Sequence, residues 1–544
     1  MPSSLWLHSS SRARCVAPAL TALALLAWCP TAALAQAATP GAASAATQFP
    51  IRGFELTGDI PLDSAQTTLI LAPFIGTQGS IDTLQKATAA LEAALKDQGY
   101  ALHRVYLPPQ EMGDRVKLNV VKFVIGKVTV EGNTAYTEEN IRASLPELRA
   151  GEAPNFRALA VQTAIANENP GKQVQVSLKE SDQPDKIDAR VLVKESRPWS
   201  LSTGLANTGS TATGNDRFSV VAAHSNVWGL DHQFSAAYTT SLERGNDVMQ
   251  VGLNYRVPLY RLGGVVGVSY TNSDVVGNFG TFSSSGAGQT FGLSYNHYLP
   301  PDGGRRTYWS VGLESKQFNA SKVDGVAVQG ALDRGSMPLT LGYNVRVEAD
   351  ASAFNYNAEV SVNVPGSTGN NLEAYQSDDA RIRTVNWTAL RMGANYMGSF
   401  ASGWLWNVRG QLQYSPHALI AGEQFGIGGS SSVRGTGERV LSGDSGVAAT
   451  LEFSTPEWWP GLRFHTFVDA GRLSSNDTDL TSSGKLSSDQ LASAGLGLRY
   501  TIGSVGLSAE WGRIVTGGTP PAGTGAAPPA VGDEKLHVNL TARF

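Results

Sequence analysis

The final stretch, KLHVNLTARF at residues 535–544, alternates apolar and polar side chains without a break. Because successive side chains of a strand point to opposite faces, Leu536 to Phe544 define an apolar face and His537 to Arg543 a polar one. A half-buried strand of a soluble protein has the same pattern. Here, however, similar strands recur through several hundred preceding residues, and the chain stops on an aromatic residue. Because a sheet in lipid must be apolar outside, polar inside and closed, the pattern predicts an antiparallel outer-membrane β-barrel.

This alternation of apolar and polar side chains recurs through residues 198–544, which lack helical periodicity. We predict sixteen strands, an even number that returns the last strand to the first. A strand of ~10 residues, rising ~3.3 Å per residue and tilted by ~40°, covers ~25 Å, which is the height of the apolar band of such barrels. The strands are expected to begin near residues 199, 217, 232, 247, 264, 288, 307, 337, 352, 384, 404, 446, 462, 492, 504 and 535. Aromatic residues expected at the membrane surfaces are Trp228, Trp404, Trp406, Trp458, Trp459, Tyr255, Tyr260 and Tyr298.

The first 35 residues have the features of a signal peptide. Arg12 and Arg14 precede an apolar run at residues 16–29, and small side chains follow at residues 33–35. A lipoprotein site at Cys29 is less favoured, because bulky Trp28 stands where a small residue is needed. We therefore predict cleavage after residue 35.

Composition excludes several classes of protein. Both cysteines, Cys15 and Cys29, lie in the predicted signal peptide, so the mature chain has no disulfide and no cysteine-based metal site. Loss of the signal peptide changes the formal charge from −4 to −6, which is not the basic balance of a nucleic-acid-binding protein. No later segment has the roughly 18 consecutive apolar residues of a membrane helix.

Between the signal peptide and the barrel, the sequence predicts two similar α+β units. Residues 36–47 are mostly Ala, Thr, Gly and Pro and are expected to form a disordered linker; the units follow at residues 48–123 and 124–197. The pattern F-x-L-x-G-D at residues 54–59 returns as V-x-V-x-G-N at residues 128–133, which indicates a weak internal repeat. In the first unit we predict strands at residues 51–58, 100–107 and 115–123. We also predict a helix at 80–98, with Ser80 as its N-cap and an apolar face of Leu84, Ala87, Leu91 and Leu95. In the second we predict strands at 127–131, 173–178 and 187–195 and helices at 138–145 and 156–167.

The longest connection of the barrel region, residues 415–445, joins predicted strands eleven and twelve. It contains the stretches EQFGIGG (423–429), SVRGT (432–436) and LSGDS (441–445). A loop of this length without structure of its own is usually functional, and its glycines permit a close approach to other backbone. In strand thirteen, LRFHTFVDAG at residues 462–471, alternation turns the odd-numbered side chains toward the lumen.

These stretches resemble motifs of the TpsB transporters of two-partner secretion, the haemolysin secretion/activation proteins. VRGT at residues 433–436 is similar to the family's V-R-G-[YF] loop tip, and FVDAG at 467–471 to its F-x-D-x-G strand. VYLPPQ at 105–110 and NENPGK at 167–172 also match, so the resemblance covers residues 48–544. It implies two periplasmic POTRA domains, 48–123 and 124–197, and a sixteen-stranded barrel, 198–544, whose loop 415–445 folds inward.

The resemblance also implies that Arg434 and Asp469 hold this loop inside the barrel through paired, charge-assisted hydrogen bonds. The alternative is a solvated loop arginine and an ordinary lumen-lining acid. The predicted lock residues are Val433, Arg434, Gly435 and Asp469, and the predicted lumen-facing residues near the lock are Phe467, Gly471, Arg463 and His465.

Two features depart from the family pattern. Thr436 stands where the family has an aromatic residue, which removes any stacking contact at the loop tip. Residues 36–47 are too few and too irregular for the pore-plugging helix and linker of better-known members. We therefore expect no plug helix and a leakier resting channel, which conductance in planar bilayers measures.

The sequence gives no sign of enzymatic activity. GDSG at residues 443–446 matches the surroundings of the nucleophile in chymotrypsin-like proteases, but His417 and His465 have no matching context as its base. No phosphate-binding loop or HExxH spacing is present. His465 and Asp469 share a face and could ligate a metal, although polar wall residues are the simpler interpretation. We predict no catalytic residue, no metal and no cofactor.

The resemblance implies export of a cognate secreted exoprotein, a TpsA-like partner, which the POTRA domains capture in the periplasm and the barrel passes outward. Outer-membrane lipids and the barrel-assembly machinery are the other expected partners, and nucleic acid is not one. The alternatives are an assembly factor or insertase, whose relatives usually carry more POTRA repeats, and a passive porin, which needs neither POTRA domains nor the loop motif. Capture by strand addition would use the sheet edges near residues 100–107 and 173–178. The partner-binding candidates are Tyr100, Leu102, Arg104, Gln173 and Gln175.

Overall fold

The computed structural model describes residues 48–111, 115–210, 213–275, 277–279, 282–284, 286–320, 322–323, 326–327, 329–478, 485–519 and 528–544. The predicted signal peptide and linker lie outside the described residues, as does any plug helix preceding residue 48. None of the helices in the described ranges is both long enough and apolar enough to cross a membrane. Two small α+β units precede a closed barrel.

The first unit packs two helices on a three-stranded sheet, in which β5 (Val116–Lys122) lies between β2 (Phe54–Gly58) and β4 (His103–Tyr106). Helix α2 begins at the predicted cap: the Ser80 hydroxyl accepts from the Thr83 amide, and the Thr83 hydroxyl accepts from the Ser80 amide. The apolar face predicted for this helix, including Leu84 and Leu91, is fully buried. The elements are β1 (Phe49–Ile51), β2 (Phe54–Gly58), α1 (Ser64–Leu71), a 3-10 turn (Ala72–Phe74), β3 (Gly76–Gly79), α2 (Ile81–Asp97), β4 (His103–Tyr106) and β5 (Val116–Lys122).

The second unit repeats this plan with the sheet order β6-β8-β7. Strand β6 is parallel to β8 and β7 is antiparallel to it, as β2 and β4 are to β5 in the first unit. Strands β4 and β7 are therefore sheet edges. The elements are β6 (Val124–Glu131), α3 (Glu138–Ser144), α4 (Phe156–Ala166), β7 (Lys172–Glu180) and β8 (Lys186–Glu195).

The prediction of a closed sixteen-stranded antiparallel barrel is confirmed. The last strand pairs with the first, with Leu540 opposite Leu205, so the sheet has no free edge in lipid. The long strands are β9 (Trp199–Ala206), β10 (Arg217–Val227), β11 (His232–Thr240), β12 (Met249–Leu259), β13 (Gly264–Ser273), β16 (Gly288–Tyr298), β17 (Arg305–Phe318), β21 (Pro338–Ala349), β22 (Ser352–Asn363), β23 (Thr388–Ser399), β24 (Leu405–Tyr414), β27 (Ser445–Ser454), β28 (Leu462–Ser474), β29 (Ser488–Ile502), β30 (Val505–Thr516) and β31 (Glu534–Arg543). Short strands in the connections are β14 (Gly277–Phe279), β15 (Phe282–Ser284), β18 (Lys322–Val323), β19 (Val326–Ala327), β20 (Arg334–Ser336), β25 (Phe425–Ile427) and β26 (Leu441–Gly443).

The two faces of the barrel follow the alternation of the sequence. On β31, Leu536 and Leu540 are exposed on the outer face, whereas His537 is buried inside. Long connections such as residues 364–387, which contain α5 (Leu372–Asp378), lie at one end, and tight turns such as residues 350–351 lie at the other. Because the chain enters the barrel from the two periplasmic units, the tight turns are periplasmic and the long loops external.

Two predicted girdle residues are not at the lipid surface. Tyr260 and Tyr298 face the second periplasmic unit, where Tyr298 is buried with Val161 and Ile165 of helix α4. Tyr298 is even-numbered on a strand whose exposed positions, such as Phe291 and Leu293, are odd-numbered, so its ring cannot point to lipid. The girdle assignment of these two tyrosines is therefore wrong.

The second unit is joined to the barrel through a buried polar contact with the periplasmic turn at residues 228–231. The Lys172 ammonium forms an ion pair with Asp231, and neither side chain is exposed. The Tyr260 hydroxyl donates to the same carboxylate at 2.8 Å, and the Asn169 amide donates to the Ser225 carbonyl at 2.8 Å. Burial lowers the pKa of Lys172 from its ordinary value, and the nearby Asp231 carboxylate opposes that shift. We call these five residues the POTRA joint.

Asp231→Asn is expected to loosen the POTRA joint. It leaves the Lys172 ammonium buried without a counter-charge, which typically costs about 3–5 kcal/mol. Clostripain, which also cuts Arg–Pro bonds, should then cleave faster after the exposed Arg197, between the two bodies, in the detergent-solubilised protein. The matched control is Glu131→Gln, which removes an exposed partner of Arg190 and should change little. Equal cleavage rates in both variants would contradict a stabilising joint.

Candidate functional site

The connection between β24 and β27 enters the barrel lumen as a hairpin. Strands β25 and β26 pair, with Ile427 opposite Leu441, and the chain between them forms the tip. Ile427 and Val433 are fully buried, and they pack with Leu473, Leu491 and Ile514, which project inward from β28, β29 and β30. An apolar contact of this kind seats the hairpin on one side of the barrel wall.

Glycine is required where the tip meets the wall. Gly435 has φ +96°, a conformation that disfavours side chains, and a Cβ on it would lie 2.9 Å from the Gly512 carbonyl oxygen. The Gly435 amide also donates to Nε2 of His537 on the last strand, at 3.1 Å. The loop backbone therefore lies directly on β30 and β31.

The structure brings Arg434 and Asp469 together in a bidentate contact. Nε of Arg434 donates to Oδ2 of Asp469 at 2.8 Å, Nη2 donates to Oδ1 at 2.9 Å, and the Arg434 amide donates to Oδ2 at 3.1 Å. Asp469 is fully buried and Arg434 is 4% exposed. Three charge-assisted hydrogen bonds between buried groups thus join the hairpin to the wall.

Arg434 also contacts two further carboxylates. Its Nη1 lies 3.2 Å from Glu452 and 3.2 Å from Glu510, and both carboxylates are shared with Arg499. The guanidinium carbon lies 3.4 Å from the centre of the Phe467 ring, a cation–π distance. The residues Val433, Arg434, Gly435, Glu452, Phe467, Asp469, Arg499 and Glu510 are called the loop lock below.

Sequence reasoning did not identify Glu452, Glu510 or Arg499. All three face the lumen, on β27, β30 and β29. Strand register aligns Glu452 with Phe467, and Glu510 with Gly497, which is opposite His465. Alternation assigns these residues to the lumen, but their height in the barrel depends on strand register. A register derived from the turns would have provided this signal.

The other predicted lumen residues differ in position. His465 lies 3.2 Å from Glu510 at the edge of the lock, and Gly471 lies against Ile427 of the hairpin. Arg463 does not belong with them: its guanidinium donates to the carbonyls of Gly403 and Thr455 at periplasmic turns. It shares the inner face of β28 with Asp469 but lies six residues away, or about 20 Å along the strand.

Glu452, His465 and Glu510 also place three potential metal ligands within 4.8 Å of one another. Both carboxylates already face the guanidinium groups of Arg434 and Arg499. A cation bound there would have to displace these positive charges. The two carboxylates of this cluster therefore belong to an ion-pair network with Arg434 and Arg499.

Thr436, which replaces an aromatic residue of the family pattern, forms hydrogen bonds within the loop tip. Its hydroxyl accepts from the Gly429 amide at 3.2 Å and lies 3.3 Å from the Val433 carbonyl. Its side chain is buried. At residue 436, a hydrogen bond within the loop thus replaces the stacking contact expected of an aromatic side chain.

The external end of the hairpin is fixed by two further buried carboxylates. Asp444 accepts from Nη1 of Arg381 at 2.9 Å and from the Leu419 amide at 2.9 Å. Glu423 accepts from Arg391 at 2.9 Å and forms an ion pair with Lys316 at 3.2 Å. The GDSG stretch, considered above as a protease motif, therefore supplies a carboxylate that joins two external loops.

The five partner-binding candidates fall into three groups. Gln173 and Gln175 are exposed on edge strand β7. Tyr100 and Leu102 precede β4 and turn toward the first unit, where Leu102 is buried and Tyr100 packs on the core. Arg104 pairs with Glu92 at 3.2 Å. The first group is accessible to a partner, whereas Tyr100 and Leu102 are committed to their own domain.

Comparison with known proteins identifies the family. The model of the haemolysin secretion/activation proteins ShlB/FhaC/HecB matches residues 185–500, and that of the ShlB-type POTRA domain matches residues 49–122. The chain belongs to the haemolysin secretion/activation protein family. It is therefore a two-partner secretion transporter of the outer membrane, with its POTRA domains in the periplasm.

Relatives of this family are distant in sequence. The outer membrane transporter CdiB of Dickeya dadantii is 23% identical over 79% of this chain and 77% of the relative. That of Escherichia coli O6:K15:H31 is 24% identical over 84% and 77%. The solved CdiB structure from Escherichia coli has a TM-score of 0.70 at 21% identity and covers 93% of both chains. CdiB from Acinetobacter baumannii has a TM-score of 0.66 at 15% identity over 92% and 90%.

Arg434→Ala in this family member is expected to leave the barrel folded and to release the hairpin. It removes the guanidinium that faces three carboxylates, and loss of one partner of a buried pair typically costs about 3–5 kcal/mol. Heat-modifiable migration on gels should persist, while secretion by the transporter should fall sharply. Arg472→Ala, on the outer face of the same strand, is the control. Unchanged secretion by a stable Arg434→Ala barrel would refute the lock.

Proposed function

We propose that this protein exports a cognate exoprotein, captured unfolded in the periplasm by its POTRA domains and passed through the barrel. The observation that carries this proposal is an open sheet edge, β7, on the POTRA domain that is fixed to the periplasmic mouth of the barrel. Family membership supports the direction of transport. The partner is a TpsA-like secreted protein.

The geometry of β7 suits capture by strand addition. The Asn167 side chain accepts from the Val174 amide at 2.6 Å and donates to its carbonyl at 3.0 Å. The N–H and C=O groups of Val174 therefore point away from β8. Because these groups point to the same side at every second residue of an antiparallel strand, those of Val176 and Leu178 also point away from β8. Among the described residues, no group pairs with the outward amides of Val176 and Leu178. An extended chain can bind there through backbone hydrogen bonds without strict sequence demands.

Strand β4 of the first POTRA domain is less open. Its Val105 amide faces a carboxylate oxygen of Glu92 at 3.4 Å, and Arg104 pairs with the same side chain. A charged side chain over an edge is a common protection against strand addition. We therefore assign capture to β7 rather than to β4.

The proposed transport needs no catalytic group. Exit of the chain requires the hairpin to leave the loop lock, and folding of the exoprotein outside the cell would bias its movement. Lipids of the outer membrane surround the barrel, and the barrel-assembly machinery inserts it. The function proposed is thus transport without enzymatic activity.

Deletion of the gene, followed by comparison of surface and secreted proteins, tests the function. We expect loss of one large secreted protein, because a cognate partner is proposed. Broad loss of outer-membrane barrels would instead indicate an insertase. No loss of either would indicate a passive pore.

Val176→Pro is expected to reduce secretion strongly. Proline removes the outward amide of the edge strand, and proline is tolerated at such edges. Val176→Ala is the matched control, because it loses the same side-chain packing but retains the amide. Co-purification of the exoprotein from the periplasm measures capture directly. Equal capture by the two variants would contradict strand addition at β7.

A further inference from the structure

A cavity of about 630 Å³ lies in the lumen beside the loop lock. Its wall is formed by β17, β21, β22, β23 and β24, whereas the lock uses β27 to β30. Its periplasmic end is lined by Asn167 and Glu168 of the second POTRA domain. The hairpin therefore leaves a cavity along one wall, and the second POTRA domain lines its periplasmic end.

Side-chain amides form two adjacent rows on this wall. Strand register places Asn344 opposite Asn357 and Asn357 opposite Gly393. Gly393 in turn is opposite Gln411, so the three amides lie in one row. In the next row, strand register aligns Asn355 with Asn395. The five amide residues, Asn344, Asn355, Asn357, Asn395 and Gln411, are called the amide wall.

Most of the amide wall has no partner. Within the part of the chain that the structure describes, Asn355, Asn357, Asn395 and Gln411 form no side-chain hydrogen bond, and only Asn344 does, to Ser310 at 3.2 Å. They are at least partly exposed to the cavity. Structural amides of the same protein behave differently: Nδ2 of Asn363 lies within 3.1 Å of three hydrogen-bond acceptors.

The charged groups of the same wall are already engaged. Arg409 donates to the Ser431 carbonyl of the hairpin at 2.7 Å. Arg346 is paired with Glu348, from which Arg306 lies 4.0 Å away. Between these arginines, the five amide residues add donors and acceptors that carry no charge.

We propose that the amide wall is the surface along which the unfolded exoprotein slides, by hydrogen bonds to its backbone. This inference rests on the proposed export function. A carboxamide carries the same donor and acceptor groups as a peptide unit and no charge. It can therefore bind the backbone of any segment, whereas a charged wall would hold segments of opposite charge. Asn167 connects capture at β7 with passage along the amide wall. Its side-chain amide hydrogen-bonds to the Val174 backbone of β7, and the same residue lines the cavity.

Single-cysteine variants test this path. Both native cysteines precede residue 36, so the thiols introduced by Asn395→Cys and Asn539→Cys can be compared. Asn539 is the matched control: it is an asparagine four residues before the end of β31, as Asn395 is four residues before the end of β23. His537, two residues earlier, contacts the hairpin, so Asn539 faces the lumen on the lock side.

The probe is a short, uncharged peptide rich in glycine and serine that carries one activated disulfide. It is added to the purified full-length protein, and rates are normalised to labelling by a small thiol reagent. We expect several-fold faster crosslinking to Asn395→Cys than to Asn539→Cys. Adding Asn355→Leu to the first variant should lower its rate several-fold.

Equal rates at the two positions, faster reaction at Asn539→Cys, or no crosslinking at either would overturn the amide wall as the path. Gln175→Cys, on the exposed face of β7, reports separately on capture. Crosslinking at Gln175→Cys without crosslinking at Asn395→Cys would leave the proposed capture intact and reject the path.

Discussion

The closed sheet imposes the constraint from which the rest of the structure follows. In lipid every backbone donor and acceptor needs a partner inside the protein, so β31 must return to β9. Sixteen strands enclose a lumen too wide for wall side chains to fill. The connection after β24 folds into that space, and its backbone polar groups and charged side chains must then be satisfied by the wall.

The loop lock combines an apolar seat with a charge network, and the two respond differently to water. Ile427 and Val433 lose favourable burial whenever the hairpin leaves its seat. Arg434 and its carboxylates exchange buried ion pairs for hydrated charges, a change that is much closer to balanced. A polar lock therefore fixes the resting position of the hairpin without making its release prohibitive when an unfolded chain and water occupy the lumen.

Much of the fold could be predicted from the sequence because alternation is a local property. All sixteen long strands begin within a few residues of their predicted starts, and helix α2 begins at its predicted cap, Ser80. The contact between Arg434 and Asp469 was suggested by resemblance, since 35 residues separate them. Arg463 was placed near the lock and Glu452 was not identified for the same reason. Alternation shows whether a residue faces the lumen or the lipid, but not how far along the barrel axis it lies. Tyr298 was misassigned because an aromatic residue at a strand end suits either lipid or a docked domain.

The POTRA joint and the loop lock use separate parts of the barrel. The joint depends on Asp231 in the turn between β10 and β11 and on Tyr260 after β12, whereas the lock depends on β27 to β30. No residue belongs to both. Among the residues that the structure describes, release of the hairpin therefore breaks none of the contacts of the POTRA joint. Strand β7 and Asn167 can keep their position at the periplasmic mouth while the hairpin moves, so a captured chain faces the same entrance before and after the lumen opens.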